Sequence, residues 1–199
     1  QFNDKYLITG TARIDVSSRF GDNNKYGLFP SVALAWKIAQ EDFAPDIFTQ
    51  LKLRTSWGIT GNQEIANFAS LDTFGGRVGG AQSFPATLNG AQAASIFRSR
   101  VANPDLKWEE TTQFNVGVDV GMFKDRLTGS LDFFKKETSD ILLNIPLPTS
   151  STFGSFLGNA GDIDNWGIEF MLNSTNVSSQ NFLWTSTLNL NHSENEVKS

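Results

Sequence analysis

Hydrophobic and polar residues alternate along most of this chain. In the first such segment the apolar positions include Tyr6, Ile8, Ala12, Ile14 and Val16, and the polar positions include Thr9, Thr11, Arg13, Asp15 and Ser17. Successive side chains of a β-strand point to opposite faces of the sheet, so this period of two predicts a strand with one apolar and one polar face. The pattern recurs at residues 26–38, 51–60, 110–122, 127–136, 166–173 and 182–191. The chain is therefore predicted to be all-β, an antiparallel up-and-down meander of about seven strands.

The connections between these strands alternate between short and long. Residues 39–49, 123–126 and 174–181 form the modest set, whereas the other set includes the stretches 61–105 and 140–158. Outer-membrane barrels have short turns on one side and long loops on the other. A structureless loop as long as residues 61–105 is uncommon in a compact soluble domain. The stretch 61–105 is rich in Gly, Ala, Ser and Asn, which predicts a mobile surface loop without regular structure.

Strand length and the chemistry of the polar face favour a membrane barrel over a soluble sandwich. Many of the predicted strands exceed the five or six residues typical of soluble sheets, and a tilted membrane strand needs about 9–11 residues. The polar face consists largely of Gly, Ser, Thr, Asn and Asp with few charges, as a watery or plug-filled interior requires. We predict a segment of a large transmembrane β-barrel. The alternative is a soluble all-β carbohydrate-binding module, in which the aromatic residues form the core and a ligand platform.

Composition narrows the remaining classes. Mean hydropathy is -0.24 and no apolar run approaches the length of a membrane helix, but alternating barrel strands also average out as polar. The net charge of -5 argues against nucleic acid as a partner. The absence of cysteine excludes disulfides and thiolate metal sites. Because the chain opens on a strand and not on a signal peptide, we expect its beginning to lie elsewhere in a longer protein.

No catalytic or metal-binding motif is present. Nucleophile elbows, phosphate loops and metalloprotease signatures are all missing from the sequence. Glu109 and Glu110 are adjacent, so they point to opposite faces of a strand and cannot act as a glycosidase pair. The Asp- and Asn-rich stretches 21–24 and 161–165 lack the spacing of a calcium loop and are predicted to be turns, and His192 has no partner at ligand spacing. We predict that the protein is not an enzyme and binds no cofactor or metal.

Five blocks of this sequence resemble the SusC/RagA family of TonB-linked outer-membrane receptors of Gram-negative bacteria. They occur in order and together cover nearly the whole chain. The blocks are SSRFGDNNKYGLFPSVALAWKIAQEDF at residues 17–43, LKLRTSWGITGNQEI at 51–65, NPDLKWEETTQFNVGVD at 103–119, RLTGSLDFFKKETSDILL at 126–143 and NAGDIDNWGIEFML at 159–172.

The resemblance implies a place for this chain in a much longer protein. Residues 1–199 would be part of the C-terminal β-barrel domain, in a barrel of about 22 strands, with the plug domain, signal peptide and last strand outside the chain. The receptor would lie in the outer membrane and import oligosaccharides or peptides. Its partners would be a SusD-like surface lipoprotein and, through the missing N-terminal part, TonB. We expect residues 61–105 to lie outside the cell and to help select cargo or contact the lipoprotein.

Two groups of side chains are candidates for function in such a barrel. Four tryptophans share the apolar phase of their strands, which favours an aromatic girdle at the membrane interface over sugar stacking; they are Trp36, Trp57, Trp166 and Trp184. Trp108 precedes its strand's regular alternation and is not assigned. Seven charged residues share the polar phase and would face the interior, where they could contact plug, water or cargo; they are Arg13, Asp15, Lys52, Arg54, Asp119, Asp132 and Glu169. Ion pairing across the wall is the favoured role for these seven.

Overall fold

The computed structural model describes residues 2–77, 86–88, 91–93, 95–151 and 153–198. The strands of this part of the chain are β1 (Tyr6–Val16), β2 (Tyr26–Lys37), β3 (Phe48–Asn62), β4 (Thr73–Arg77), β5 (Ala86–Leu88), β6 (Ala91–Ala93), β7 (Ser95–Arg100), β8 (Glu109–Met122), β9 (Leu127–Ser139), β10 (Leu142–Pro146), β11 (Ser155–Asn159), β12 (Ile163–Ser178) and β13 (Leu183–Val197). The described helical structure is a 3-10 turn at Ile38–Gln40, and no described helix is long and apolar enough to cross a membrane.

Seven long strands form one antiparallel sheet in the order β1-β2-β3-β8-β9-β12-β13. Each strand pairs with the long strand that precedes it along the chain, so the sheet is a simple meander. The strands are 11 to 16 residues long, which exceeds the typical soluble strand and suffices for a tilted crossing of a bilayer. The prediction of an all-β antiparallel meander of seven long strands is confirmed.

The strand register separates apolar from polar side chains in adjacent rows. One row runs from β1 to β13 through Tyr6, Trp36, Leu53, Val118, Leu131, Phe170 and Leu190. Every member of this row is apolar or aromatic. The neighbouring row, one residue along each strand, points to the opposite face. We call these two surfaces the apolar face and the polar face. The tryptophans predicted for the girdle, Trp36, Trp57, Trp166 and Trp184, lie in the apolar phase of their strands.

The apolar face of the sheet is open. Leu28 on β2 is 60% exposed and Leu131 on β9 is 51% exposed, although both strands have a neighbour on each side. A soluble sandwich covers such a face with a second sheet about 10 Å away. In the described part of the chain the other strand pairs are short two-stranded hairpins, so no second large sheet is present. The arrangement is that of a barrel wall and not of a sandwich.

The two ends of the sheet differ in their connections. At one end of the strands the connections are residues 17–25, 63–108 and 140–162, and we call this the long-loop end. Residues 38–47, 123–126 and 179–182 join the strands at the other end, the short-turn end. Two of the three connections at the long-loop end, 63–108 and 140–162, are longer than any at the short-turn end, which is the asymmetry that the sequence predicted.

Two predictions about the connections were wrong. The long loop is not structureless at its two ends, because β4 pairs with β7 there and a second hairpin, β10 with β11, forms in the connection 140–162. The centre of the predicted mobile loop, at residues 78–85, 89–90 and 94, lies outside the described residues. Asp164 and Asn165, predicted to be in a turn, lie in β12, because the ladder with β13 continues as far as the pair Ile163 and Val197.

One carboxylate holds the short-turn end together. Glu41, just after the 3-10 turn, accepts hydrogen bonds from Lys5 Nζ at 2.9 Å, Tyr6 Oη at 2.7 Å and Trp36 Nε1 at 3.0 Å. The rings of Tyr6 and Trp36 stack with their centroids 6.2 Å apart. The hydrogen bond from Lys5, followed by those from Tyr6 and Trp36, lowers the pKa of Glu41 to about 2. The aromatic residues at this end are therefore oriented by a charged acceptor.

This arrangement predicts an acid-dependent loss of stability in the intact protein. The pKa of Glu41 in the folded protein lies below its ordinary 4.5, so the stabilisation is fully present above pH 4.5 and is lost as the pH falls toward about 2. Glu41→Gln should lower the Tm at pH 7, and the gap to the wild type should close between these two pH values. Thermal unfolding in detergent across this range measures both effects. Parallel pH courses for the two proteins would contradict the assignment.

Candidate functional site

The strand register brings five of the seven predicted charged residues together on the polar face. One row of this face runs through Leu7, Ala35, Arg54, Gly117, Asp132, Glu169 and Asn191, from β1 to β13. Lys52 and Asp119 stand opposite each other in the next polar row, toward the short-turn end. Arg13 and Asp15 lie apart, near the long-loop end of β1. The prediction that these seven residues share one face agrees with the register.

Arg54 links three strands through its guanidinium group. It donates to Asp119 from Nε and from Nη2, both at 2.8 Å, and Nη2 also donates to Asp132 at 3.0 Å. Lys52 Nζ lies 3.7 Å from the same Asp119 carboxylate. These four side chains, which we call the ion cluster, carry two positive and two negative charges. Because the paired Arg–carboxylate geometry is among the stronger hydrogen-bonded arrangements, the cluster ties β3, β8 and β9 together.

A missing side chain makes the ion cluster possible. Gly117 lies between Arg54 and Asp132 in the row, on the middle one of the three strands. A Cβ atom at this position would stand 2.0 Å from Asp132 Oδ1 and 3.1 Å from Arg54 Nη2. The glycine thus leaves the space through which arginine and aspartate meet across β8.

Gly117→Ala should break the contact between Arg54 and Asp132. We expect the intact protein to lose about 1–3 kcal/mol of stability, because the methyl group forces the carboxylate out of its place. The matched control is Gly10→Ala on the apolar face, where an added Cβ meets nothing within 4 Å and should change stability by less than about 0.5 kcal/mol. Samples of each variant are heated to a series of temperatures and run on a mildly denaturing gel. The temperature at which the band of the folded barrel disappears measures the stability of each variant. Equal shifts in the two variants would contradict this explanation.

The other predicted charges differ in their surroundings. Arg13 Nη2 pairs with Asp15 Oδ2 at 2.9 Å, and the Arg13 guanidinium carbon lies 5.6 Å from the centroid of the Phe29 ring. Glu169 stands directly opposite Asp132 and has no hydrogen bond or ion pair with any residue that the structure describes. Four of the seven residues, Lys52, Arg54, Asp119 and Asp132, therefore pair between strands, whereas Arg13 and Asp15 pair within β1 and Glu169 pairs with no described residue.

A second group of residues, which sequence reasoning missed, lies at the long-loop end. Phe20, Phe29, Ala69, Leu106 and Trp108 are each at most 4% exposed and form one buried cluster, which we call the loop cluster. The ring centroids of Phe20 and Phe29 lie 4.9 Å and 5.4 Å from that of Trp108. Ile65, Leu142 and Leu157 pack against the outside of the cluster. Residues of all three connections at the long-loop end belong to the cluster or pack against it. The main buried core of the described residues therefore holds these connections together.

Hydrogen bonds fix the same three connections to one another. The side chain of Asn159 accepts a bond from Lys107 N at 3.0 Å and donates to Lys107 O at 2.9 Å and to Asp140 O at 2.8 Å. Gly21 N donates to Leu106 O, and a Cβ at Gly21 would lie 1.6 Å from Pro104 O, so only glycine permits this approach. The bases of the long loops are therefore a single packed unit.

Neither group provides the chemistry of a catalytic or metal site. Within the described ranges, no group of three or more His, Cys, Asp or Glu side chains is arranged to hold a metal. His192 Nε2 lies 3.2 Å from Glu194 Oε1, and its ring packs edge-on against Trp166. The polar face offers hydroxyl, amide and charged groups along shallow hollows, such as the one lined by Thr9, Ser56, Asn115 and Arg54. Such a surface can contact a polar ligand or another polar protein segment.

Comparison with known proteins gives consistent matches along the chain. A family model described as "TonB dependent receptor-like, beta-barrel" matches residues 1–197. TonB-dependent receptor P26 of Formosa agariphila is 40% identical over 198 residues, which make up 98% of this chain and 19% of that protein. TonB-dependent receptor SusC of Bacteroides thetaiotaomicron is 38% identical over 197 residues, which make up 97% of this chain and 19% of that protein. The chain spans about a fifth of the length of these curated relatives.

Solved structures match the same region. A structure of the RagAB peptide importer in the 'closed-closed' state aligns with a TM-score of 0.87 and 30% identity, covering 98% of this chain and 21% of that chain. The 'open-open' state of the same importer also gives a TM-score of 0.87 and covers 100% of this chain. At this identity and coverage the likeness extends over the seven-strand wall.

Proposed function

Because this chain belongs to the TonB dependent receptor-like β-barrel family and is similar to SusC and RagAB, we propose that it forms part of the wall of an outer-membrane importer. The relatives are receptors and transporters, and the protein is not an enzyme. The observation that carries the proposal is the adjacent pair of rows that crosses all seven strands: one is wholly apolar, and the other carries Arg54, Asp132, Glu169 and Asn191. In an outer-membrane barrel the apolar face contacts lipid and the polar face borders the interior.

In this proposal residues 1–199 are part of a barrel domain, and the plug and the segment that engages TonB belong to the rest of the protein. The ion cluster then stiffens the wall from the inside. Glu169, which lacks a partner among the described residues, remains available to the plug, to water or to cargo. Arg13 and Asp15 lie nearest the long-loop end and would be the first of the seven charges that incoming cargo meets.

The partner and the cargo are proposed from the relatives. SusC and the RagAB importer are similar over nearly the full chain, and RagAB is described as a peptide importer. We propose that the intact receptor works with a SusD-like surface lipoprotein and takes up oligosaccharides or peptides. The loop cluster supports this, because it fixes the bases of the three long connections in one packed unit that can present their outer parts to a partner.

Uptake by cells that express the intact receptor tests the proposal. Labelled oligosaccharide mixtures and labelled peptide mixtures are supplied separately, in cells with and without TonB. We expect uptake of one of the two classes, with loss of uptake when TonB or the receptor is deleted. Uptake that is independent of TonB would contradict the proposed importer. Recovery of the receptor in the soluble fraction would contradict its place in the outer membrane.

A further inference from the structure

A groove crosses β1, β2 and β3 on the apolar face, near the short-turn end. Its lining includes Tyr6, Ile8, Leu34, Trp36, Leu53 and Thr55, and no charged side chain contributes to it. The polar tips of Tyr6 and Trp36 are both directed to Glu41, so within the groove these two residues present their rings. On the outer surface of a barrel wall, an apolar groove is open to the hydrocarbon chains of the membrane.

Contacts within the protein give the groove its shape. Its wall at the short-turn end is the stacked ring pair of Tyr6 and Trp36, with an interplanar angle of 16°. Glu41 holds both rings, and its side chain is 13% exposed. A preorganised surface of this kind loses little conformational entropy when it binds, which favours residence of one chain over transient contact with many.

The rim of the groove favours a positively charged headgroup. Lys5 is already paired with Glu41 at 2.9 Å, and Asp42 beside it is exposed. Lys37 stands opposite Lys52 in the strand register, in the polar phase, and therefore points to the other face of the sheet. Asp42 lies near Lys5, whose pKa it helps to raise after the larger effect of Glu41, so Lys5, Glu41 and Asp42 together carry one excess negative charge at this end of the groove. An ammonium group complements this rim, whereas a headgroup with only negative charge does not.

We propose that this groove is a binding site for one acyl chain of a phospholipid whose headgroup carries an ammonium group, such as phosphatidylethanolamine. The inference rests on the proposed membrane location of the receptor. It adds a specific lipid site at the short-turn end to the general contact between barrel and bilayer. The bound lipid would seal the hollow between the ring pair and Thr55.

The test uses the intact receptor, purified from outer membranes in mild detergent, with retained phosphatidylethanolamine counted by native mass spectrometry. Leu34→Trp fills the groove and should reduce retention about tenfold, since it displaces roughly two methylene groups of the chain. Ile8→Trp is a second variant with the same expectation. The matched control is Leu188→Trp, which adds the same ring to the apolar phase of β13, outside the groove. Asp42→Lys should shift the preference toward phosphatidylglycerol.

The outcomes separate this proposal from the function on which it rests. Loss of retained lipid in both groove variants, with normal retention in the control, supports the site. Equal retention in all variants, or equal loss in the control, overturns it even when the receptor fractionates with the outer membrane. A receptor that does not fractionate with the outer membrane overturns the proposed location instead. Folding of each variant is verified by its heat-modifiable band before lipid is counted.

Discussion

Val116→Arg is expected to prevent most of the intact receptor from inserting into the outer membrane. Val116 lies in the apolar phase at the middle of β8, opposite Thr55 on β3 and Phe133 on β9. A charged side chain at the lipid-facing midplane of a barrel costs about 2–4 kcal/mol, because it must leave water for hydrocarbon. Membrane fractionation, together with the heat-modifiable band of the folded barrel, measures the inserted share.

The control for this prediction lies three residues away on the same strand. Gln113→Arg places the same charged side chain on the polar face. There Gln113 donates a side-chain hydrogen bond of 3.1 Å to Asn115. We expect near-normal insertion, because this face borders the watery interior. Insertion of Val116→Arg at the wild-type level would contradict the assignment of the two faces. So would an equal defect in both variants.

Trp108→Ala is expected to release the long loops while leaving the barrel inserted. The side chain is 4% exposed and lies between Phe20 and Phe29 in the loop cluster. Removing this buried tryptophan should cost about 3–5 kcal/mol, because burial is lost and a cavity remains. Because the cluster lies at the long-loop end and outside the apolar row, the loss should fall on the loops. Protease added to intact cells should therefore cleave residues 61–105 or 140–158 faster.

Two further variants make this second prediction specific. Phe74→Ala removes an aromatic ring that is 65% exposed in the same long connection, and we expect protease sensitivity to stay unchanged. Trp108→Phe keeps a buried ring and removes an indole Nε1 that has no hydrogen-bond partner in the described structure, so most of the protection should remain. Equal cleavage of the Trp108→Ala receptor and the wild type would show that the cluster does not hold the loops.

Alternation of residue types predicted the wall well. A period of two assigns each side chain to a face, and both faces are observed with the predicted membership from Tyr6 to Leu190. It does not specify which residues on a face will meet. Arg54 and Asp119 are 65 positions apart in the chain, and their contact depends on the register of β3 against β8. Alternation alone leaves that register open, because a slip of two residues keeps every side chain on its face.

The loop cluster could not be predicted from periodicity for the same reason. Trp108 precedes the regular alternation of β8, and Phe20 and Leu106 lie in connections with no repeating pattern. Their burial depends on packing between segments about 85 residues apart, and local sequence carries no sign of it. The clue was present in the resemblance, because three of the five blocks supply Phe20, Trp108 and Asn159. The period-two pattern within those blocks does not include these three residues, whose contacts join the connections at the long-loop end.

The most direct test of the central claim is the orientation of the two ends of the sheet. The chain has no cysteine, so single cysteines at Ser150, in the connection 140–162, and at Gln180, in the turn 179–182, can be labelled with a membrane-impermeant maleimide in an intact receptor otherwise free of cysteine. We expect Ser150→Cys to be labelled in intact cells and Gln180→Cys to be labelled only after the outer membrane is permeabilised. Labelling of Gln180→Cys in intact cells, or of neither cysteine until the cells are lysed, would contradict this orientation.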